Sequence, residues 1–249
     1  MSKLSVIVIT QNEEANIARC LGSVQWADEV IVVDSGSDDD TVAIAQNYGA
    51  HVYHQSWLGY GPQKNKALEK ATGEWVLSLD ADEYLLEEDA KQLQNLIGQD
   101  TQASAFSFLF EVYFFGQKIK YSYGKQERHV RLFKRLEAAF DSAFIHENLV
   151  VEGLIKDSSI YVQHETIKTM DQVLQKMNHY STLGANKRYQ QNKKPSLWQL
   201  PFKMLLGFVK VYLLRRGFLD GRYGFIIAVC HVHSIFYRQV KLLQMWHKI

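Results

Sequence analysis

Three carboxylates close an apolar run in the middle of this chain: Asp80, Asp82 and Glu83 follow Trp75–Leu79 without a break. In an extended chain, residues two apart point to the same side. The carboxylates of Asp80 and Asp82 can therefore converge on one ligand. Hard divalent cations take oxygen donors of this kind, and such a cation brings phosphate chemistry within reach. An apolar strand has no use for carboxylates at its end unless something positive meets them there.

The run that carries these acids reads as a buried strand, and others precede it. Leu4–Ile9 is short, apolar and β-branched, as in a strand covered on both faces. Asn12–Glu14 opens a helix whose Ile17, Cys20, Leu21 and Val24 recur at helical spacing. Val30–Val33 is a second strand ending at Asp34, and an acidic loop and a helix follow it, closed by Gly49. His51–Tyr53 is a third strand. Pro62 then suits the first turn of a helix that runs through Ala67, Leu68 and Ala71 to Gly73. Strands alternating with helices imply a parallel sheet with right-handed crossovers, and such sheets bind ligands beyond the carboxyl ends of their strands. Thr10, Asp34 and the Asp80/Asp82 pair all fall at strand ends and are expected along one edge.

Composition narrows the function classes. The chain has 249 residues, 47% hydrophobic and 22% charged, with a net charge of +1, as in a protein built around a core. Cys20 and Cys230 suffice for neither a disulfide framework nor a zinc site, so a reducing, cytoplasmic setting is expected. The opening apolar run is too short for a signal peptide, and no stretch is long enough to span a bilayer. After Glu165 the only acids are Asp171 and Asp220, while Lys and Arg are frequent. The front is acidic and the back basic. Basic residues set among aliphatic ones, with an acidic front, speak against nucleic acid as a partner.

With those residues placed, the chain resembles family 2 glycosyltransferases of the GT-A fold. The matching pieces are SVIVITQNEEANIARCLGSV (residues 5–24), VIVVDSGSDDDT (30–41), the Lys64-Asn65-Lys66-Ala67-Leu68 helix before Gly73, and LSLDADE (77–83). Together they cover roughly residues 4 to 85. IHENLVVEG (145–153) and Gln163-His164 are similar to a narrower branch, which includes the lipopolysaccharide inner-core glucosyltransferases. The resemblance implies an α/β GT-A domain over residues 1–165, a Rossmann-like mixed sheet flanked by helices, with a helical, basic C-terminal region over 166–249. It implies inverting transfer of a sugar, glucose from UDP-glucose, to a glycolipid heptose. A polyprenyl-phosphate or other envelope glycan acceptor is the alternative, as is a non-catalytic nucleotide-sugar-binding module.

Roles carry over residue by residue. Asp82 resembles the direct ligand of a Mn²⁺ or Mg²⁺ ion, and His164 the imidazole that completes its shell in some relatives. Asp80 resembles the residue that reaches ribose or metal-bound water. Asp34 resembles the reader of uracil; capping its own loop is the plainer role. Thr10, Glu13 and Lys64 would meet base, ribose or phosphate, although Lys64 also suits an ordinary surface lysine. Arg128 and Arg131 are read on one strand face, either toward the diphosphate or simply decorating the sheet. Glu147 would take the acceptor's proton as general base, with Asp141 as its substitute. Many relatives carry Tyr where this chain has Gln11, so stacking on the base is not expected there.

Beyond residue 97 an aromatic stretch, 103–115, a turn at Gly116-Gln117, and the segments 118–123, 128–134 and 158–163 read as further strands. Helix is expected over 171–189 and in the C-terminal tail. His231 and His233 have the spacing of one strand face, with no third ligand near. Residues 200–216 mix apolar and aromatic side chains with Lys and Arg, the pattern of a helix lying at the surface of an anionic membrane. Peripheral attachment at the inner face of the cytoplasmic membrane is expected, with packing on a protein surface as the competing reading. A nucleotidyltransferase would need a Gly-rich loop where Thr10–Glu14 stands. An aspartyl-phosphate phosphatase would carry its paired acids after the first strand rather than the fourth.

Overall fold

A computed structural model describes residues 3–99, 102–123, 128–141 and 148–247. The chain forms two compact units, one of Met1–Glu111 with Glu127–His164, the other of Val112–Gln126 with Glu165–Ile249.

In the first unit the alternation of strand and helix is as the apolar periodicity requires. β1 (Leu4–Thr10), α1 (Glu14–Gly22), β2 (Glu29–Asp34), α2 (Thr41–Asn47), β3 (His51–His54), α3 (Tyr60–Leu68) and β4 (Trp75–Asp80) succeed one another. β1 lies between β2 and β4, and β2 pairs with β3, all in parallel. β1 is buried along its whole length. Its alternate residues serve two cores: Leu4, Val6 and Val8 join Ile17 and Leu21 of α1, while Ile7 and Ile9 join Ala67 of α3. A strand covered on both faces has no polar side to show, hence its continuous apolar run.

The sheet continues through β5 (Glu83–Leu85), β6 (Ala103–Phe114), β8 (Arg128–Lys134) and β11 (Leu154–Ile167), while α4 (Glu87–Ile97) follows β5. Its order is β3-β2-β1-β4-β8-β6-β11-β5, mixed rather than wholly parallel, because β8 runs antiparallel to both β4 and β6. β9 (Ala138–Phe140) and β10 (Leu149–Val151) form a separate antiparallel pair. They flank residues 142–147, so Glu147 lies outside the described residues.

The acids that follow β4 are less loop-like than their sequence suggests. Glu83 begins β5, which pairs antiparallel with β11, and Glu83 stands opposite His164. Gly73 supports this approach from the other end, since a Cβ there would sit 2.6 Å from Ser5 Oγ and 2.8 Å from Lys3 O. Only glycine lets the chain enter β4 so close to β1.

In the second unit β7 (Gln117–Ile119) pairs with the end of β6, and three helices follow: α5 (Met170–Gln190), α6 (Leu200–Val209) and α7 (Gly221–His247). α5 opens on a capping box, with Gln172 N donating to Thr169 Oγ1 and Lys168 N and Thr169 N donating to Gln172 Oε1. β7 is shorter than the expected 118–123 strand. The backbone N–H groups of Lys120, Tyr121 and Ser122 instead donate to the Asp220 carboxylate, at 3.0, 3.1 and 2.7 Å. His231 and His233 lie in α7, within the helix expected for the tail. Two residues apart on a helix, they do not face each other.

Candidate functional site

The carboxyl ends of β1, β2 and β4 come together as the parallel pairing demands. Thr10 is in register with Asp34, and Ile9 with Asp80. The loops after β1 and β2 are stitched together: Asn12 N donates to Ser37 Oγ (2.9 Å), Asp38 N to Asn12 Oδ1 (2.9 Å), and Glu13 N to Thr41 Oγ1 (2.8 Å). Asn12 takes a left-handed φ of 55°, which asparagine tolerates better than most residues.

Asp34 is buried and holds its own loop. Its Oδ2 accepts from Gly36 N (2.8 Å) and Ser37 N (3.0 Å), and its Oδ1 from Ser37 Oγ (2.5 Å). The capping role is therefore realised; a carboxylate has lone pairs enough to accept from a ligand as well. Beside it, the buried Thr10 Oγ1 has no hydrogen-bond partner among the described residues. Such a hydroxyl is costly unless something occupies it. Glu13 Oε2 accepts from Asn16 Nδ2 at 2.6 Å, within the first turn of α1. Gln11 is exposed on the same loop.

Asp80 is held from two sides. Lys64 Nζ lies 2.9 Å from its Oδ1 and Arg131 Nη2 lies 3.3 Å from its Oδ2. Lys64 is only 2% exposed, so it is no surface lysine. Burial works to raise the Asp80 carboxyl, but the charges of Lys64 and Arg131 outweigh it and hold the group well below the usual carboxylate range. Arg131 Nη2 also meets Glu83 Oε1 at 2.5 Å, and Glu83 Oε2 accepts from Asp80 N at 3.0 Å. Glu83 is 1% exposed; burial and then Asp80 push its carboxyl up, against the pull of Arg131. This buried acid ties the β4 end to β8 and to β5 at once.

Arg131 reaches the site because β8 is irregular. Phe106 pairs with Leu132 but Ser107 with Val130, which leaves Arg131 as the extra residue of a bulge. A bulge re-aims a side chain. Arg131 also lies 5.0 Å from the centre of the Phe110 ring, a cation–π contact. Arg128 goes elsewhere: its Nη1 donates to Ser158 O at 2.8 Å and its Nε lies 3.8 Å from Asp157 Oδ2. The expectation that the two arginines act together from one face is thereby corrected: the bulge takes Arg131 out of the alternation that places Arg128.

Asp82 is left to a different partner. Its Oδ2 lies 3.1 Å from His164 Nε2. Burial lowers the imidazole, but the hydrogen bond and charge of Asp82, with Glu83 and Asp80 behind, raise it overall. No group of three or more His, Cys, Asp or Glu placed to hold an ion occurs among the described residues, and Asp80 and Glu83 are paired with Lys64 and Arg131. A carboxylate and an imidazole converging on one point still fit an ion that keeps waters and gains further oxygens from a bound diphosphate. Beneath these acids Cys20 Sγ lies 3.6 Å from Asp80 O. Burial and the three acids push its thiol well up, which removes it as a nucleophile.

Two residues escaped the sequence reading. Glu83 was legible only as a third acid, yet it is the hub of the network. Asn65, beside Lys64 on α3, clasps β9: its Nδ2 donates to Phe140 O (2.8 Å) and its Oδ1 accepts from Phe140 N (3.0 Å). The Lys64-Asn65 dipeptide was the signal available. Asp141 follows at the end of β9, with its N–H donating to Asn148 O at 2.9 Å and its Oδ2 accepting from Asn148 Nδ2 at 3.1 Å.

Known proteins are similar to this chain over most of its length. The model of glycosyl transferase family 2 matches residues 5–146. An uncharacterized glycosyltransferase of Rickettsia typhi is 32% identical over 98% of this chain and 88% of its own length. The lipopolysaccharide core biosynthesis glycosyltransferase LpsC of Rhizobium meliloti is 29% identical over 97% of this chain and 92% of its own length. Among solved structures, S. aureus TarS 1-349 is similar with a TM-score of 0.47 and 18% identity, over 99% of this chain and 92% of that one. On the family match and the near full-length relatives, the chain belongs to glycosyl transferase family 2, with the GT-A fold.

Proposed function

We propose that this chain is an inverting, divalent-metal-dependent hexosyltransferase that moves glucose from UDP-glucose to a heptose of the lipopolysaccharide inner core. The observation that carries the reading is the pairing of Asp82 with His164 beside an Asp80 already fixed by Lys64 and Arg131. A carboxylate and an imidazole already brought together could take an ion between them while the neighbouring acid is immobilised. The name of LpsC supports a core-lipopolysaccharide acceptor.

In this reading Asp82 and His164 hold Mn²⁺ or Mg²⁺, which as a Lewis acid stabilises the charge that grows on a leaving diphosphate. The chain's own groups do the rest. Asp34 accepts from the uracil N–H while keeping its loop, Thr10 gives its unpartnered hydroxyl to the same nucleotide, and Glu13 lies on the adjoining loop. Lys64 and Arg131 keep Asp80 ionised and still, ready to accept from ribose or a bound water. Glu147 takes the proton of the acceptor hydroxyl as its oxygen bonds to the anomeric carbon and the bond to the diphosphate breaks. The enzyme works at the inner face of the cytoplasmic membrane, held there peripherally through its basic helical region.

A thermal-shift screen of UDP-, GDP- and TDP-sugars, with and without Mn²⁺, tests the donor. UDP-glucose should raise the melting temperature only with the metal present. Equal shifts without metal, or none with any nucleotide, would reject the donor assignment. Transfer of labelled glucose to a purified heptose-terminated core then tests the acceptor.

A further inference from the structure

α6 is apolar on all sides. Its one charged residue is Lys203. One face carries Leu200 and Gly207, which are buried, and Gly207 lies so close to α7 that a Cβ there would meet Ile235 Cδ1 at 2.4 Å. The opposite face carries Phe202, Leu205 and Leu206, and all three are exposed. A helix that is hydrophobic all round is at home only when both faces are covered. Here one is not.

The exposed face extends past the helix. A π-helical turn, Lys210–Leu214, continues α6 and buries Val211. Arg216 then takes a left-handed φ of 59° and turns the chain into the 3-10 segment Gly217–Asp220 and on to α7. Leu214 stands 75% exposed at this turn, with Leu213 beside it, and Trp198, just before α6, is 94% exposed. The turn is anchored from within: Phe208 and Tyr212 lie 5.9 and 6.0 Å from the Phe225 ring of α7. The apolar tip is therefore preformed rather than a loose tail.

Charge decides what covers it. Lys210, Arg216 and Arg222 are exposed around the tip, and Lys203 lies within it. From residue 166 on, the sequence holds fourteen Lys or Arg against Asp171 and Asp220. Asp220 is already engaged with the backbone N–H groups of residues 120–122. A second copy of this chain on that face would bring cation against cation. An anionic bilayer offers hydrocarbon for the leucines and phosphate for the rim. Among the described residues no helix is long and apolar enough to cross a membrane, so the contact is one of surface insertion.

We propose that the α6 tip (Trp198, Phe202, Leu205, Leu206, Leu213 and Leu214) is a preformed membrane wedge that inserts into an anionic leaflet. Lys203, Lys210, Arg216 and Arg222 sit at the phosphates. The inference deepens the glycolipid-acceptor reading by assigning the surface that brings the enzyme to its acceptor. Binding is read without turnover, so the two can fail separately.

The test is flotation of the full chain with vesicles of phosphatidylcholine alone or mixed with an equal amount of phosphatidylglycerol. The protein should float with the anionic vesicles. Leu205→Ser with Leu214→Ser should lower partitioning about a hundred-fold or more, from two lost insertions. Lys203→Gln with Lys210→Gln should lower it about thirty-fold, an effect that added salt mimics in the wild type. Brominated lipid should quench fluorescence that is missing in Trp198→Ala. None of the five changed side chains belongs to the buried core, and circular dichroism verifies folding. Flotation unchanged by the leucine pair would overturn the proposal. So would a wild type that ignores both vesicles. A dimer by sedimentation that the leucine pair dissolves would give the face to a second copy instead. Metal-dependent UDP binding should be the same in every variant; a wild type that floats with anionic vesicles but binds no UDP would fail the donor reading alone.

Discussion

Lys64 Nζ lies 2.9 Å from Asp80 Oδ1, a nearly sealed cation meeting a carboxylate that still sees solvent. The asymmetry predicts unequal mutants. Asp80→Asn strands a buried ammonium and should cost about 2 kcal/mol, less than a fully buried pair because Asp80 is partly exposed. Lys64→Met fills similar volume, leaves Asp80 to Arg131 and water, and should cost about 1 kcal/mol. Urea denaturation of both and of the double variant gives the coupling. Strictly additive losses would show that the pair contributes nothing.

Glu29 makes a second, pH-dependent prediction. Its Oε1 accepts from Ser5 Oγ, from Thr72 N (2.6 Å) and Oγ1 (2.9 Å), and from Gly73 N (3.2 Å), just ahead of β4. Burial opposes ionisation, but these hydrogen bonds prevail and lower the carboxyl below its ordinary value. A depressed folded value stabilises above the unfolded pKa, and that stability fades as pH falls through the folded one. Denaturation midpoints of wild type and Glu29→Gln should therefore differ at neutral pH and converge in acid. A gap that persists in acid would mean that packing, not charge, is at stake.

For the ion site, Asp82→Ala and His164→Ala should each weaken UDP binding by ten-fold or more in the presence of Mn²⁺, with little change in its absence. Isothermal titration measures both. Loss in Asp82→Ala alone would leave His164 as a partner of the carboxylate and not of the metal.

Asn65 should act on turnover from a distance. Asn65→Leu removes both hydrogen bonds to Phe140 and should cost about 2 kcal/mol, since the Phe140 groups lose their partner. UDP affinity should hold while kcat drops, because β9 leads toward residue 147. A parallel loss of UDP affinity would place Asn65 with the donor instead.

Glu147→Gln should bind UDP-glucose as the wild type does and lose transfer by several orders of magnitude. If turnover stays near normal while Asp141→Asn loses it, the base is Asp141.

The parallel core was readable because burial on both faces writes itself into continuous apolar runs such as 4–9, and the strand ends then named Thr10, Asp34 and Asp80. Lys64 was readable as a type but not as a buried one, since α3 carries no mark of which face meets Asp80. Glu83 and Arg131 were least legible. The role of Glu83 depends on an antiparallel pairing with a strand about eighty residues away in sequence, and that of Arg131 on a bulge. Long-range register leaves no local trace. The helix expected for the tail is found as α7, and the strand-like spacing of His231 and His233 shows that two residues of one type carry too little pattern to decide a conformation.

The bulge at Arg131 makes the active edge sensitive to length as well as to identity. Deleting Val130 would allow β8 and β6 to zip together in unbroken register, which the backbone would accept readily. The guanidinium would then be set by the pleat of an ordinary ladder and lose the offset that brings it between Asp80 and Glu83. Such a protein would keep every side chain of its site and misplace one by a single residue of spacing.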